Sequence, residues 1–547
     1  MRNMTVCALA LVMTSPLYAQ AIPQAPHLTA GAEFKGLRFD WEPVTGATWY
    51  ELEYKAHQSA AFVQQGSDLA ASATSRRFSF PLHLFDWTYA RYRLAACNAA
   101  GCARSAAISV SNLRRDAVGY FKASKSTSHL GFGSEIDVTP DGLNFVATAS
   151  GDMMGSSGLP PAVYVFRRGN TGEWLQRARL LPTVPPVRSF DDTSMTVRVS
   201  ADGNTVVLGM PNYLRQVVEE GTPDDVSGEV FVFHFNGTSW VRSRLAAAAG
   251  SRGGFGRWVS VNDAGDLIAV GSGKSVEAPI PRHAFIYRKV ADAWQPVRDI
   301  QAMPSQEICD NGALSGDGST LVENCRQFGA SDTGSGILRN YVRTHSGPNW
   351  TIREEMALEL AAEPGSDEGV YSFGLAVDRT GSTIASQVYV DAHGGDGPSE
   401  VHVFHRDGAY SRVARLAPGA WQSADLHSAF GLNVAISDDG GTIAVGHYQD
   451  MGYGTGPRAA PLNPGTRMSG AVYVYRLKTT WRLANMVKPN YLPAVLGNYS
   501  WFGEVVALNS NGQTLIVGQR YENSSAQGIG GEWASEAAPQ SGAVWIY

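Results

Sequence analysis

Cysteines come first among the residues whose types and spacing invite a chemical reading. Cys97 and Cys102 flank Asn98-Ala99-Ala100-Gly101, a four-residue loop between two strand-like runs. Cys309 and Cys325 lie symmetrically about Asp317, the turn of a hairpin, so they are expected to face each other across its strands. The fifth, Cys7, belongs to an N-terminal leader. Four cysteines allow three pairings. Two local disulfides, Cys97–Cys102 and Cys309–Cys325, fit an oxidising compartment, with free thiols as the alternative. A zinc site needs His or Cys in closer array.

Other candidates are weaker. Asp391-Ala392-His393-Gly394-Gly395-Asp396-Gly397 is the best remaining metal-binding candidate, although a flexible polar loop explains it better. No HExxH, GxSxG or Gly-rich phosphate loop is present. The twelve histidines are scattered: His402 and His405 fall on or beside a strand, His427 and His447 in one later repeat. With no nucleophile or paired carboxylate assignable beside them, they read as strand or rim residues. Asn236, Asn349, Asn498 and Asn523 begin N-x-[ST] sequons. No catalytic residue, metal ligand or cofactor is expected.

The elements that would position any site are repeats. FGLNVAISDDGGTIAVGHY, from Phe430, is followed by a Gly/Pro-rich loop and by SGAVYVYR, ending at Arg476. Val434 and Ile436, then Thr442, Ile443 and Val445, form two β-branched runs around Asp438-Asp439-Gly440-Gly441, which reads as a hairpin. Ala471–Tyr475 is a third strand and Trp481–Ala484 opens a fourth. Turn glycines count seven copies: Gly142, Gly203, Gly265, Gly318, Gly381, Gly440 and Gly512. The opening Phe-Gly recurs at Phe132-Gly133, Phe255-Gly256, Phe430-Gly431 and Phe502-Gly503; Thr193-Ser194 and Ile308-Cys309 fill the slot elsewhere, and near Phe373-Gly374 it is displaced. An aromatic opens the fourth strand at Trp174, Trp240, Trp294, Trp350, Tyr410 and Trp481, where it is expected to pack between repeats.

Four short strands bury too little alone, so the units must stack on one another. Closed on a ring they make a β-propeller, which leaves few edges; an open solenoid is the competing arrangement. The chain stops at Tyr547, at the end of a third strand, while a surplus strand, Val118–Ala123, precedes the first repeat. Val118–Ala123 is therefore expected to pair with Ala543–Tyr547 and close the ring.

The pattern FG...VAIS.DG.TIAVG...SGAVYVY...W resembles the bacterial FG-GAP repeat, related to the seven-bladed propeller of integrin α subunits, over about residues 118–547. In integrin propellers the first hairpin carries a calcium-binding DxDxDG loop. The matching Thr139-Pro140-Asp141-Gly142, Gly316-Asp317-Gly318 and Ser437-Asp438-Asp439-Gly440 supply one or two carboxylates each, where calcium takes 6–8 oxygens. These aspartates are expected to act as turn residues.

Residues 1–21, with Arg2, an apolar run from Val6 to Met13 and small Ala19 and Ala21, read as a secretory signal peptide. The mature chain is expected to be secreted or periplasmic, without membrane insertion. With 44 Lys+Arg against 50 Asp+Glu and no run of like charge, nucleic acid is not expected as a partner. Residues 22–113 alternate in strand fashion through Leu37–Trp41, Tyr50–Tyr54 and Tyr92–Asn98 and resemble a fibronectin type III β-sandwich. Ser111–Ala117 links it to the repeats.

Fold class is thus all-β: a fibronectin type III-like sandwich followed by a seven-bladed propeller closed by an N-terminal strand. The function expected is non-enzymatic binding or adhesion by a monomer, to a protein or glycan, through the long loops between second and third strands, such as 448–469 and 520–541. The alternatives are an extracellular hydrolase or lyase, and a scaffold of an envelope assembly. Convergent carboxylates or histidines at the ring centre would favour the enzyme; a polar rim with exposed aromatics would favour adhesion.

Overall fold

A computed structural model describes residues 20–151, 159–182, 195–211, 228–245, 254–272, 283–301, 307–327, 337–346, 349–358, 369–391, 399–418, 429–452, 454–458, 468–492 and 500–547. Residues 1–19, most of the stretch 1–21 expected to be a signal peptide, together with His393, Asp396, His427 and Asn498, lie outside these residues. The chain is all-β: its described elements are strands apart from a 3-10 turn at Ser111–Leu113. No described helix is long and apolar enough to cross a membrane. Two compact units form, one from the residues up to Ser79 with Asp86–Arg114, the other from Phe80–Phe85 with Arg115–Tyr547.

The first unit has two antiparallel sheets. Leu28–Glu33, Gly36–Trp41 and Ser75–Ser79 form one; Trp49–Lys55 and Arg91–Asn98 lead the other. Period-two alternation turns Phe39, Trp41, Tyr50, Leu52, Tyr92 and Leu94 inward, all buried. Cys97 pairs with Cys102 across the Asn98–Gly101 hairpin, their sulfurs 2.07 Å apart.

The second unit is a β-propeller, built of antiparallel sheets whose strands follow chain order from inside to outside, with two exceptions. Gly119–Phe121 is the outer strand of the last sheet, and Gly369–Tyr371 and Leu375–Val377 both pair with Thr383–Asp391 in the fifth. Its sheets are led by Phe132–Val138, Thr196–Val199, Val259–Val261, Glu307–Leu314, Leu375–Val377, Val434–Ile436 and Val505–Leu508. Each of these first strands touches that of the next sheet, and Val505–Leu508 touches Phe132–Val138, so the series returns on itself. The expected closing pair is present: Gly119–Phe121 lies antiparallel to Ala543–Ile546, with Tyr120 opposite Trp545. Phe121 is fully buried and crosses to the neighbouring sheet, where Phe145, Phe166 and Trp174 surround it at 5.0–5.5 Å. Burying such a side chain is worth roughly 1.5–3 kcal/mol.

Neighbouring sheets meet through the repeated glycines. A Cβ on Gly446 would come 2.1 Å from the Gly503 carbonyl oxygen, and one on Gly470 would come 2.0 Å from that of Phe502. Gly518, Gly542 and Phe132-Gly133 repeat the arrangement, as do Gly209, Gly228 and Phe255-Gly256. The Phe-Gly pair of one sheet thus seats on glycines of the sheet before it, where a side chain would hold the backbones apart. At the fifth sheet Gln387 and Ser399 replace those two glycines, and both donate to the Phe430 carbonyl, at 3.0 and 2.6 Å. Trp174 and Trp350 are buried, and Trp240, Trp294 and Trp481 pack against the apolar clusters between sheets.

Candidate functional site

On the face of tight turns the carboxylates are consumed locally. Asp141 accepts the Thr139 hydroxyl at 2.5 Å and the Leu143 amide at 2.8 Å. Ser200–Asp202, Ser315–Asp317 and Ser437–Asp439 repeat the pairing. Against the cost of burial, hydroxyl and amide donors hold Asp202 and Asp317 below the usual aspartate range. Asp438 behaves otherwise, pushed up to about 6 by burial and then by the Asp263 carboxylate.

The opposite face, which carries the long loops, opens at the ring's axis. One residue per sheet falls eight positions before its turn glycine: Ser134, Met195, Arg257, Asp310, Phe373, Leu432 and Glu504. Five of them, from the first, second, fifth, sixth and seventh sheets, line one opening of about 440 Å3. Only on the axis can strands so far apart in the series share a cavity. The other two, Arg257 and Asp310, pair at 3.5 Å. This register also explains the displaced repeat: Ser372, buried, fills the glycine slot, and Phe373 is a mouth residue, 43% exposed.

Glu135, Asn433, Tyr448, Trp501 and Arg520 complete the lining with Val505. Glu504 lies 3.2 Å from the Arg520 guanidinium, and Glu135 lies 3.9 Å from that of Arg198. Burial pushes both carboxyls up to about 7; the arginines pull the other way, and the charge of Glu504 raises Glu135 further. Asp137, on the same strand, is also raised by burial, but its oxygens accept the amides of Val199 and Val138. Its role is to tie the first strand to the second sheet.

An aromatic group borders the acids. Trp501 lies 4.9 Å from Tyr448 and 4.5 Å from Tyr521, ring to ring, and Arg520 stacks over Trp501 at 4.9 Å and over Tyr521 at 5.0 Å. Trp501 has φ +48°. Eleven residues before the turn glycine, the first and third sheets place Gly131 (φ +62°) and Gly254 (φ +67°) in this slot. A bulky residue there bears backbone strain of roughly 1–3 kcal/mol that glycine avoids.

Two buried ion pairs anchor these residues. Ten positions after the turn glycine stand Asp450 in the sixth sheet and Glu522 in the seventh. Lys488 meets Asp450, with the Ser469 hydroxyl at 2.8 Å, and Tyr473 donates to the same carboxylate at 2.7 Å. Lys122 meets Glu522, with the Ser541 hydroxyl at 2.7 Å, and Tyr120 donates to that carboxylate at 2.9 Å. Each lysine directly follows the outermost strand of its sheet and is fully buried. Burial lowers both lysines, opposed by their partner carboxylates. Asp450 is lowered: burial raises it, but Lys488 and then His447 outweigh that. Tyr448 and Arg520 stand two residues before these acids, so the pairs fix where the long loops leave the sheet.

Of the residues singled out in the sequence, Cys309 and Cys325 face each other in register with sulfurs 1.97 Å apart. Neither is among the residues that line the mouth. The histidines correct one expectation, since carboxylates do stand beside two of them. His402 lies 3.5 Å from Glu400, because residues two apart share a strand face, and His447 adjoins Asp450. Both imidazoles are fully buried, and Asp450 is already committed to Lys488. Asn236 uses its side-chain oxygen to hold its own turn, accepting the Thr238 and Ser239 amides, and the side-chain oxygen of Asn523 accepts the distant Gln540 amide. Glu135, Glu504, Arg520 and Trp501 were not singled out, although the offset from each turn glycine would have aligned Ser134 with Glu504 and Gly131 with Trp501.

No protein-family model and no curated protein sequence matches this chain. Among solved structures it is similar to Kuenenia stuttgartiensis hydrazine synthase, with 12% identity, TM-score 0.43 and coverage of 74% of this chain and 96% of that one. It is similar also to the Dos1 propeller, at 10% identity and TM-score 0.39 over 79% and 95% of the two chains. A third is Pseudomonas aeruginosa periplasmic gluconolactonase, at 13% and 0.40 over 81% and 96%. Likeness of this degree carries no argument about function.

Proposed function

We propose that this chain is an exported binding protein that holds its ligand at the axial mouth of the long-loop face. In this reading the second unit is a seven-bladed, FG-GAP-like propeller closed by its own N-terminal strand, and the first is a fibronectin type III-like sandwich that spaces or presents it. The observation that supports the site is Trp501. The fold accepts glycine in this slot twice, yet here a tryptophan stands in left-handed backbone, beside Tyr448 and above the acids. Strain retained at an opening is characteristic of binding sites. The ligand would be a protein terminus or a glycan, both narrow enough to enter. Pull-down and glycan-array binding of the mature protein, compared with Trp501→Gly, tests the reading. Partner binding that survives the substitution unchanged would place the site elsewhere.

A second reading, an extracellular hydrolase or lyase, draws on Glu135 and Glu504. Two carboxyls near 7 in one opening are poised to share acid and base roles at neutral pH. Glu135→Gln and Glu504→Gln separate the two readings. A binding site keeps most of its affinity in at least one amide variant, whereas an enzyme keeps affinity and loses turnover in both.

A further inference from the structure

We infer that the axial mouth recognises an uncharged saccharide, whose apolar face stacks against Trp501 and Tyr448 while its hydroxyls bond to Glu135, Glu504 and Asn433. The inference rests on the binding-site reading above and names its ligand class.

The chemistry of the lining selects among ligand classes. Aromatic rings next to carboxylates attract cations, so an ammonium ligand is the first alternative. Here that place is taken from within the chain. The Arg520 guanidinium stacks on Trp501 and Tyr521 and lies 3.2 Å from Glu504, and Arg198 faces Glu135. A ligand cation would have to compete with Arg520 for Glu504, whereas a neutral hydroxyl can bond to the carboxylate with the arginine in place. An anionic ligand fares no better, because each guanidinium already faces an acid of the lining. With both acids ionised, their charges are balanced by Arg520 in the lining and by Arg198 beside it, and the lining offers planar hydrogen-bonding groups in Glu135, Glu504 and Asn433. Carboxylates a fifth to a quarter exposed can accept from hydroxyls without losing solvent entirely. Asn433 has its side-chain oxygen on the Val506 amide at 2.9 Å, which orients its amide nitrogen. Rings for C–H faces, fixed acceptors for hydroxyls and neutral balance together describe a sugar. The opening, at about 440 Å3, lies within the roughly 300–1,000 Å3 usual for small-ligand sites.

A peptide terminus is the remaining entrant of the earlier reading. Its ammonium or carboxylate would bring a full charge into this balanced opening, and the saccharide would not.

The test is calorimetric titration of the full mature chain with neutral oligosaccharides (malto-, cello-, xylo- and manno-series), with oligogalacturonate and with chitosan oligomers. Trp501→Gly is the matched variant, because Gly131 and Gly254 hold the same backbone conformation and the fold accepts it. Its folding is checked by thermal melting. The expected result is saturable binding of at least one neutral series, weakened tenfold or more in Trp501→Gly, with weaker or no binding of the charged oligomers. Binding confined to oligogalacturonate or chitosan, and lost in Trp501→Gly, would overturn the neutral class and leave the site intact. No binding by any oligosaccharide, with a protein partner lost in Trp501→Gly, would overturn the saccharide. Neutral-sugar binding undiminished in a folded Trp501→Gly variant would overturn the mouth itself.

Discussion

The two faces of the propeller use carboxylates in opposite ways. On the tight-turn side each repeated aspartate closes its own turn through a hydroxyl and an amide, so Asp202 and Asp317 ionise readily and have few acceptor sites to spare. On the long-loop side Glu135 and Glu504 have an arginine each, at 3.9 and 3.2 Å, and little else. Burial keeps them protonated up to about 7. Local turn geometry satisfies a carboxylate; convergence on an axis leaves it available. The same contrast separates the glycines of regular sheet contacts from Trp501, which occupies a glycine's backbone.

The largest break in this comparison comes from the closing strand, which is followed by Lys122, the cation of the seventh-sheet ion pair. Removing Gly119–Ala123 exposes the edge of Ala543–Ile546, uncovers Phe145 and leaves Glu522 buried without its cation. Truncating one partner of a buried pair costs about 3–5 kcal/mol, before the lost burial of Phe121 is added. Melting of the propeller should fall as one transition and the protein should self-associate through the open edge. A variant that melts like the full chain and stays monomeric would mean that this strand does not hold the ring.

Next in size is the sixth-sheet anchor. Lys488→Met should cost about 3–5 kcal/mol in urea denaturation, and Lys488→Met with Asp450→Leu should recover most of it. If the single variant is as stable as the parent, the anchor is dispensable and Tyr448 needs another explanation for its place.

The pH dependence should have opposite signs for the mouth acids Glu135 and Glu504 and for the turn aspartates Asp202 and Asp317. Glu135 and Glu504 move from 4.5 in the unfolded chain to about 7 in the fold. Between these values the folded protein binds more protons than the unfolded, so stability falls as pH rises through that window. The loss should be no more than ~3 kcal/mol per group. The double variant Glu135→Gln/Glu504→Gln should flatten the slope between pH about 5 and about 8. For Asp202 and Asp317, held below 3.8, the unfolded chain binds more protons, so stability rises with pH below the ordinary aspartate value. Denaturation midpoints that do not change between pH about 5 and about 8 would remove the contrast.

The smallest effect expected is that of chelation. The turn carboxylates are occupied by donors of their own chain, so EDTA should leave the melting temperature unchanged. A clear fall restored by calcium would show that the tight-turn face holds metal and that its aspartates are less committed than their hydrogen bonds suggest.

Local signals were strong enough to read this fold without coordinates. Period-two alternation, Asp-Gly turns at recurring spacing and a surplus strand before the first repeat are properties of neighbouring residues, and they imply stacked antiparallel sheets and the pairing of Gly119–Phe121 with Ala543–Ile546. The Cys309–Cys325 pairing was legible for the same reason, since hairpin symmetry decides it. The site was not legible. Glu135 and Glu504 are far apart in the chain and look like solvated strand residues; only ring closure brings them to one axis, and only burial there moves their protons. Lys122 and Lys488 end ordinary-looking strands, and nothing local says that each will be sealed against an acid. Trp501 looks like one more packing aromatic until its backbone conformation is known. Periodicity specifies which face of a strand is inward; which inward residues meet is decided by the register of sheets around the ring.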